Sequence, residues 1–489
     1  MRIFEMLLAG ACLVLLNYLV FFRKPASKTG TTAVLGTIVL GLLAAQLFVE
    51  GYRWQMAFIY GIAVLLLIWC VARSLKTASP NAAKPRKWLR YSLYTAGMVF
   101  LAASVLLSVV VPVFRLPEPT GKYEVGVKEF HFVDSDREET FTDDPGDRRE
   151  LMVRVWYPAE ADKKLKRATL FPEDSKAFDK FMEVYSGGLG VPAFFLDYFK
   201  YIGANAYKEA TVLRDTAPYP LVIISHGMGT GKWLHTAQAE NLASHGYVVA
   251  AIDHTYSTMV TVFPDGKTTG FKTEMNENAF YEDASRVGKV WTEDVGFVIE
   301  QLERMNSGDG SSGLEGAIDM RHIGAMGHSF GGATAFNAAY LNDKVLAGIN
   351  MDGSLYELKD RKRMDKPFLF MRVADFMDAI KEYKKQPDAD RKLLKNISEE
   401  LSIMDEVSRN NGDLLLLKEA GHYNFTDLQL FPKFVSWMGM TGKIDGKRGA
   451  QIVNRYVLDF FNKHLKGIES TLLNGPDEAY PEVEFYGRR

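Results

Sequence analysis

Residues 323 to 332 read IGAMGHSFGG, an apolar run that closes on a serine set among glycines. Gly327, Ser329 and Gly331 form the pattern Gly-x-Ser-x-Gly, in which a strand turns sharply into a helix and lifts the serine hydroxyl to the apex of strained backbone. The glycines remove side chains that would collide at so tight a corner. A serine placed there can attack an acyl carbon, provided that a base takes its proton and a third group orients the base. Five-residue patterns also recur by chance, so the flanking sequence has to carry the argument. MRHIGAMG predicts a strand, and GGATAFNAAYL predicts a helix whose small first turn lets it approach a sheet closely.

Earlier in the chain, LVIISHGMGTGK predicts a buried strand ending in His226 and Gly227, followed by a flexible glycine loop. Such a loop can aim a backbone N–H at the oxyanion that forms during acyl transfer. The two expected donors are the amides of Met228 and of Phe330, the residue after the serine. For the base, chain order favours a histidine beyond the serine, and only His422 and His464 lie there. His464 falls in the amphipathic terminal stretch RYVLDFFNKHLKG and is expected to pack or face solvent. His422, in KEAGHYNFTD, follows the last predicted strand at the edge where active-site groups gather, and is assigned as base. His328, beside the serine, is expected to point elsewhere and bond locally. Asp352 and Asp375 end two successive predicted strands, and spacing leaves both open as the acid.

The segments SHGMG, LASHGYVVAAIDH, GHSFGGAT, the strand ending NMD, and HYNFTD resemble the plasma-type platelet-activating factor acetylhydrolases and their bacterial relatives, over roughly residues 120 to 465. The resemblance implies an α/β-hydrolase fold with Ser329 as nucleophile, Asp352 as acid, His422 as base, and Met228 and Phe330 as oxyanion donors. Asp375 becomes the alternative acid. The resemblance also implies hydrolysis of short or oxidised acyl groups on a phospholipid, and no metal or organic cofactor is needed. A branch with similar elbows acts on cutin-like polyesters or generic carboxylesters. The same triad also serves acyltransferases, in which an alcohol replaces water.

The elements that must hold these residues follow from patterning. After residue 115 the apolar runs KYEVGVKEFHFV, ELMVRVWYP, YPLVIISHG, GYVVAAIDH, MRHIGAMGHS, VLAGINMDG, KPFLFMRVA and DLLLLKEAGH alternate with helical stretches. Continuous apolar runs suit strands buried on both faces, hence a mostly parallel sheet flanked by helices, with antiparallel strands at its N-terminal edge. Residues 116–489 are read as this catalytic domain, entered through the stiff spacer containing Pro117 and Pro119.

Residues 1–115 carry four apolar runs, about 6–22, 31–49, 56–72 and 92–111, each long enough to cross about 30 Å of hydrocarbon as a helix. Arg23, Lys24 and Lys28 fill the first connection, and Arg73, Lys76, Lys84, Arg86, Lys87 and Arg90 the third; the second has Glu50 and Arg53. The positive-inside rule then puts loops one and three in the cytoplasm and the catalytic domain outside the cell membrane. This orientation sends Arg2 and Glu5 outward with the N-terminus.

A formal net charge of −2 gives no reason to expect a nucleic-acid partner. The two cysteines, Cys12 and Cys70, lie in the apolar region, which excludes a disulfide framework or a cysteine-ligated metal site. The expected partners are the bilayer and a lipid or small ester. Two stretches could cover a cleft: the aromatic segment 186–207, which also suits core packing or the bilayer surface, and the charged segment 376–410, which also suits a solvated excursion. The sequons at Asn396 and Asn424 read as chance matches. A domain that only binds, with the helices as the working part, is the remaining class, but these spans carry few ionisable groups of the kind that marks a transport path.

Overall fold

The computed structural model describes residues 1–22, 28–75, 87–160, 162–215, 217–276, 279–308, 312–357, 363–386 and 390–486. Arg23, Lys24, Lys76, Lys84 and Arg86, which carry part of the orientation argument, lie outside the described residues. The chain divides into two compact units. One comprises Met1–Phe114 with Leu189–Tyr201 and Pro432–Phe434, and the other comprises Arg115–Gly188, Ile202–Phe431 and Val435–Arg489.

The first unit is built on four helices, α1 (Ile3–Phe21), α2 (Lys28–Ala45), α3 (Ala57–Leu75) and α4 (Lys87–Val110). All four are long and apolar enough to cross a membrane. α4 begins at Lys87 rather than near 92, because good helix formers such as lysine, leucine and arginine continue the helix past its apolar stretch. Leu8, Cys12, Leu15, Ile59, Ala63 and Leu66 pack inside the bundle, while Leu65, Ile68 and Leu93 face outward. Such an apolar exterior suits lipid rather than water.

One end of this bundle holds a cluster of ion pairs. Arg53 donates to both carboxylate oxygens of Glu5, at 2.9 and 3.0 Å, and Arg2 Nε donates to Glu5 Oε1 at 2.8 Å. The N–H of Phe4 donates to Glu50 at 2.9 Å, and Arg53 also donates to the carbonyl of Val111. The start of α1, the α2–α3 connection and the end of α4 therefore share one end, where Arg2 and Glu5 find partners. Leu189–Tyr201 belongs here too: Trp54 Nε1 donates to the Phe195 carbonyl at 3.1 Å, and the Tyr201 hydroxyl to that of Tyr52 at 3.0 Å.

The second unit contains the strands β1 (Glu124–Glu138), β2 (Arg148–Ala159), β3 (Arg167–Thr169), β4 (Gly203–Lys208), β5 (Tyr219–Ser225), β6 (Val248–Asp253), β7 (Val260–Val262), β8 (Thr268–Gly270), β9 (Ile318–His328), β10 (Val345–Met351), β11 (Phe368–Val373), β12 (Gly412–Leu417) and β13 (Val483–Phe485). Eleven of them make one sheet in the order β13-β12-β11-β10-β9-β5-β6-β2-β1-β4-β3, and β7 and β8 pair separately. The run from β12 to β6 is parallel. β2 and β1 join it antiparallel, and β13 closes the far edge antiparallel. After β5 the chain first goes to β6 and then returns to β9 on the opposite side of β5. A crevice opens at such a reversal, outside the carboxyl ends of the strands.

The helices are α5 (Ser175–Leu189), α6 (Thr236–Ser244), α7 (Phe280–Asn306), α8 (Phe330–Leu341), α9 (Phe376–Lys384), α10 (Arg391–Asn410), the single turn α11 (Phe434–Trp437) and α12 (Gly446–Lys466). Val298 and Leu302 of α7, Phe336 of α8, and Met404 and Val407 of α10 share one core with the sheet. Leu242 of α6 with Ile452, Tyr456 and Phe460 of α12 builds a second one. The sheet is thus covered on both faces, as its continuous apolar strands require.

Each of the two stretches that could cover a cleft contains more than one element. Within 186–207, Leu189–Tyr201 groups with the helical unit while Gly203–Lys208 is strand β4. Within 376–410, α10 buries Glu400, Met404 and Val407.

Candidate active site

The elbow forms where β9 ends and α8 begins. Ser329 has φ 54° and ψ −122°, a conformation that L-residues rarely adopt, and its N–H donates to the Met351 carbonyl at 2.8 Å. A Cβ on Gly331 would sit 2.2 Å from the carbonyl oxygen of Ser225, and one on Gly327 would sit 2.2 Å from that of Gly331. No side chain fits at either position, which is the physical content of the two glycines.

Neighbouring strand ends supply the other groups. Asp352 directly follows β10, with φ 58°, and its N–H donates to the Met371 carbonyl at 2.8 Å. Its Oδ1 accepts from the N–H of Val373 at 3.1 Å, and its Oδ2 accepts from His422 Nδ1 at 2.7 Å. The Asp352 side chain is 7% exposed, whereas the imidazole of His422 is 41% exposed, so part of that ring stays accessible. Asp375 instead occupies the N-cap of α9 and makes no side-chain bond there. The hydroxyl of Ser329 forms no hydrogen bond among the described residues. In unliganded active sites such contacts are often long and tighten only with substrate.

His328, the residue before Ser329, contacts the loop that carries His422. His328 Nε2 donates to the backbone carbonyl of His422 at 2.9 Å, and the two imidazole rings lie 4.5 Å apart. Rather than bonding locally, His328 reaches across 94 residues, because β9 carries it into the same strand-end crevice. Burial, and then the neighbouring His422, push its pKa well below the usual histidine range, so it is neutral. His464 lies on α12, away from this cluster, with its ring against Phe460.

Both expected oxyanion amides sit at turns. Phe330 is the first residue of α8, so no carbonyl within the helix can reach its N–H. In the Gly227–Thr230 turn, Thr230 N–H donates to the Gly227 carbonyl at 3.0 Å and Gly229 N–H to the Ser257 carbonyl at 2.9 Å. The Met228 amide makes no hydrogen bond among the described residues.

Behind this turn lies a buried polar network that sequence reading missed. His254, which follows β6, donates its backbone N–H to His226 Nε2 at 3.1 Å, while His226 Nδ1 donates to the Gly227 carbonyl at 2.7 Å. Burial, reinforced by His254, pushes His226 down to about 3, and it is neutral. His254 Nδ1 is 2.9 Å from Asp294 Oδ2, and its Nε2 is 3.1 Å from Ser225 Oγ. Asp294 also accepts from Arg149 at 2.7 and 3.0 Å and from Arg137 at 2.6 Å. Ser225, His254 and Asp294 repeat the serine–histidine–carboxylate order, yet each is buried, so no substrate can reach this serine. The signal that could have found the network is the second strand-ending histidine, in AAIDH. Nothing local marks Asp294 or Arg149.

A cavity of about 680 Å³ opens farther along the same loop, with Lys232, Trp233, Asp253, Arg154, Phe171 and Phe181 in its walls. Ser329, Asp352 and His422 are not part of its lining. Among the described residues no group of three or more His, Cys, Asp or Glu is placed to hold a metal ion.

The sequence profile of the family described as "Platelet-activating factor acetylhydrolase, isoform II" matches residues 109–472. A protein from Arthroderma benhamiae named probable 1-alkyl-2-acetylglycerophosphocholine esterase is 25% identical over 413 residues, covering 79% of this chain and 97% of that protein. The platelet-activating factor acetylhydrolase of Canis lupus familiaris is 25% identical over 399 residues, covering 74% and 81%. Among solved structures, the ferulic acid esterase from Streptomyces cinnamoneus superimposes with a TM-score of 0.60 at 26% identity, covering 77% of this chain and all of that one.

Proposed function

Since the chain belongs to the platelet-activating factor acetylhydrolase isoform II family and is a carboxylic ester hydrolase of the α/β-hydrolase fold, we propose that it works through an acyl-serine formed on Ser329 at a membrane surface. The observation that carries this reading is the 2.7 Å bond from His422 Nδ1 to Asp352 Oδ2 beside the strained elbow at Ser329. A histidine that donates Nδ1–H to a carboxylate leaves Nε2 as the acceptor for a hydroxyl proton. His422 takes the proton of Ser329 as the oxygen attacks the ester carbonyl. The amides of Met228 and Phe330 hold the oxyanion, and His422 returns the proton to the departing alcohol. Water deprotonated by His422 then attacks the acyl carbon, releases the acid and restores the serine. Asp352 orients the ring.

The proposed substrate class is a phospholipid with a short or oxidised acyl group; the acetyl group in the names of the relatives supports its short-acyl part. The four apolar helices support anchoring in the cell membrane, and tethering would raise the local concentration of lipid substrate. The proposed extracytoplasmic side for the catalytic unit rests on the basic residues of the first and third connections. A second reading is favoured by the likeness to a ferulic acid esterase: hydrolysis of small soluble carboxylesters.

The test uses the full chain in detergent or nanodiscs. A fluorophosphonate should label it, and Ser329→Ala should abolish labelling. Hydrolysis should fall as acyl length grows across a panel of p-nitrophenyl esters and short-chain phospholipids. A folded wild-type chain that resists labelling would refute the triad, and a preference for soluble aryl esters over phospholipids would favour the second reading.

A further inference from the structure

The charged helix α10 sends one carboxylate inward. Glu400 is 2% exposed and Arg372, on β11, is 3% exposed. Arg372 lies between two acids: its Nε is 3.7 Å from Asp352 Oδ1, and its Nη2 is 3.8 Å from Glu400 Oε1. Its Nη1 donates to the Gly353 carbonyl at 2.6 Å, and its guanidinium stacks 3.7 Å over the Phe376 ring. Arg372 Nε and Glu400 Oε1 are both buried without a hydrogen-bond partner. The guanidinium is therefore fixed by Gly353 and Phe376 just beyond bonding range of both carboxylates, so its charge is shared between them rather than spent in one bidentate pair.

We propose that Arg372 and Glu400 are positioning residues that tune the proton affinity of His422, with Glu400 setting how much of the arginine's charge reaches Asp352. The inference rests on the triad proposed above. A positive charge beside Asp352 weakens its hold on an imidazolium, and a negative charge at Glu400 restores that hold. Among the described residues, the titratable groups facing Glu400 are Arg372 on β11, Tyr281 on α7, whose hydroxyl donates to Glu400 Oε2 at 3.4 Å, and Asp352 after β10; the Leu355 backbone N–H faces it as well. Burial pushes Glu400 up to about 7, so its charge changes within the range where a hydrolase works. The segment carrying α10 thereby acts on the chemistry through one buried carboxylate.

The alternative is a purely structural anchor for α10, and the acid limb of the kcat/KM–pH profile separates the two. Glu400→Gln fixes this position in the uncharged form that the wild-type carboxyl reaches only as pH falls below about 7, and should move that limb toward acid by up to about half a pH unit. Arg372→Gln removes a positive charge and should move it toward alkali, and Arg372→Lys should restore it. An anchor predicts lower thermal stability and lower kcat with both limbs unmoved, and unmoved limbs, or limbs displaced in the same direction, would overturn the proposal. Should Glu400→Gln fail to fold, Tyr281→Phe withdraws a donor from Glu400 and should give the acid-ward displacement at smaller size; an unmoved limb there is equally decisive. A wild-type chain that is folded but neither labelled by fluorophosphonate nor active would remove the triad itself, whereas labelled, active enzyme with fixed limbs removes only this inference.

Discussion

His328 Nε2 holds the backbone carbonyl of His422 at 2.9 Å, so the residue before the proposed nucleophile fixes the loop that carries the proposed base. Both ends of the contact are set by strand ends, β9 for one and β12 for the other. A part-buried hydrogen bond of this kind is worth up to about 1–3 kcal/mol once its partner is left unmatched. His328→Ala should therefore lower kcat by roughly 5- to 100-fold, with KM nearly unchanged. Steady-state kinetics on a p-nitrophenyl ester measure it, and kcat within twofold of wild type would show that the loop is held by other contacts.

The pairing of His422 with Asp352 separates two aspartates that lie at successive strand ends. Asp352→Asn should keep the fold but reverse the favoured imidazole tautomer, lowering kcat by on the order of 10³–10⁴. Asp375→Asn, at the α9 N-cap, should stay within about twofold, a cap exchange being worth only a few tenths of a kcal/mol. The opposite ranking would move the acid to Asp375.

Asp294 is bound by Arg149, Arg137 and His254 at once. Asp294→Asn leaves the buried Arg149 inadequately paired and should cost about 3–5 kcal/mol in unfolding free energy. The sign of the pH dependence follows from the carboxyl itself. Burial opposes its ionisation, but Arg149, His254 and Arg137 prevail and hold its pKa below the usual aspartate value of 3.8. Its contribution is therefore complete above that value and declines as pH falls below it. Denaturant unfolding of wild type and variant should differ by a constant amount from pH 5 to 8 and converge in stronger acid. A gap that widens in acid would contradict the assignment of Asp294 as the ionised centre of this network.

Much of the architecture was legible because its causes are local. Four apolar runs predicted four helices, and they begin and end within a few residues of the runs, where polar helix formers extend them. The Val- and Ile-rich segments predicted the parallel strands, and the glycines around Ser329 predicted a corner that admits no side chain. Period and steric size act over a few residues, so a reader of the chain can evaluate them.

What the chain alone determined, then, was the kind of element at each place and the chemistry of Ser329 and His422 as residue types. Tertiary structure decided which groups meet. Sheet order put β10 beside β9 and so aimed Asp352, not Asp375, at the imidazole. It turned His328 toward His422, gathered Arg149, His254 and Asp294 behind the Met228 turn, and drew Glu400 inward from a helix whose charge alone suggested a solvated excursion. Leu189–Tyr201 joined the helical unit rather than the sheet it interrupts. The reason is common to all of these: a hydrogen bond or buried ion pair depends on distances of a few ångströms between residues tens to hundreds apart in sequence, and those distances exist only once register and packing are complete.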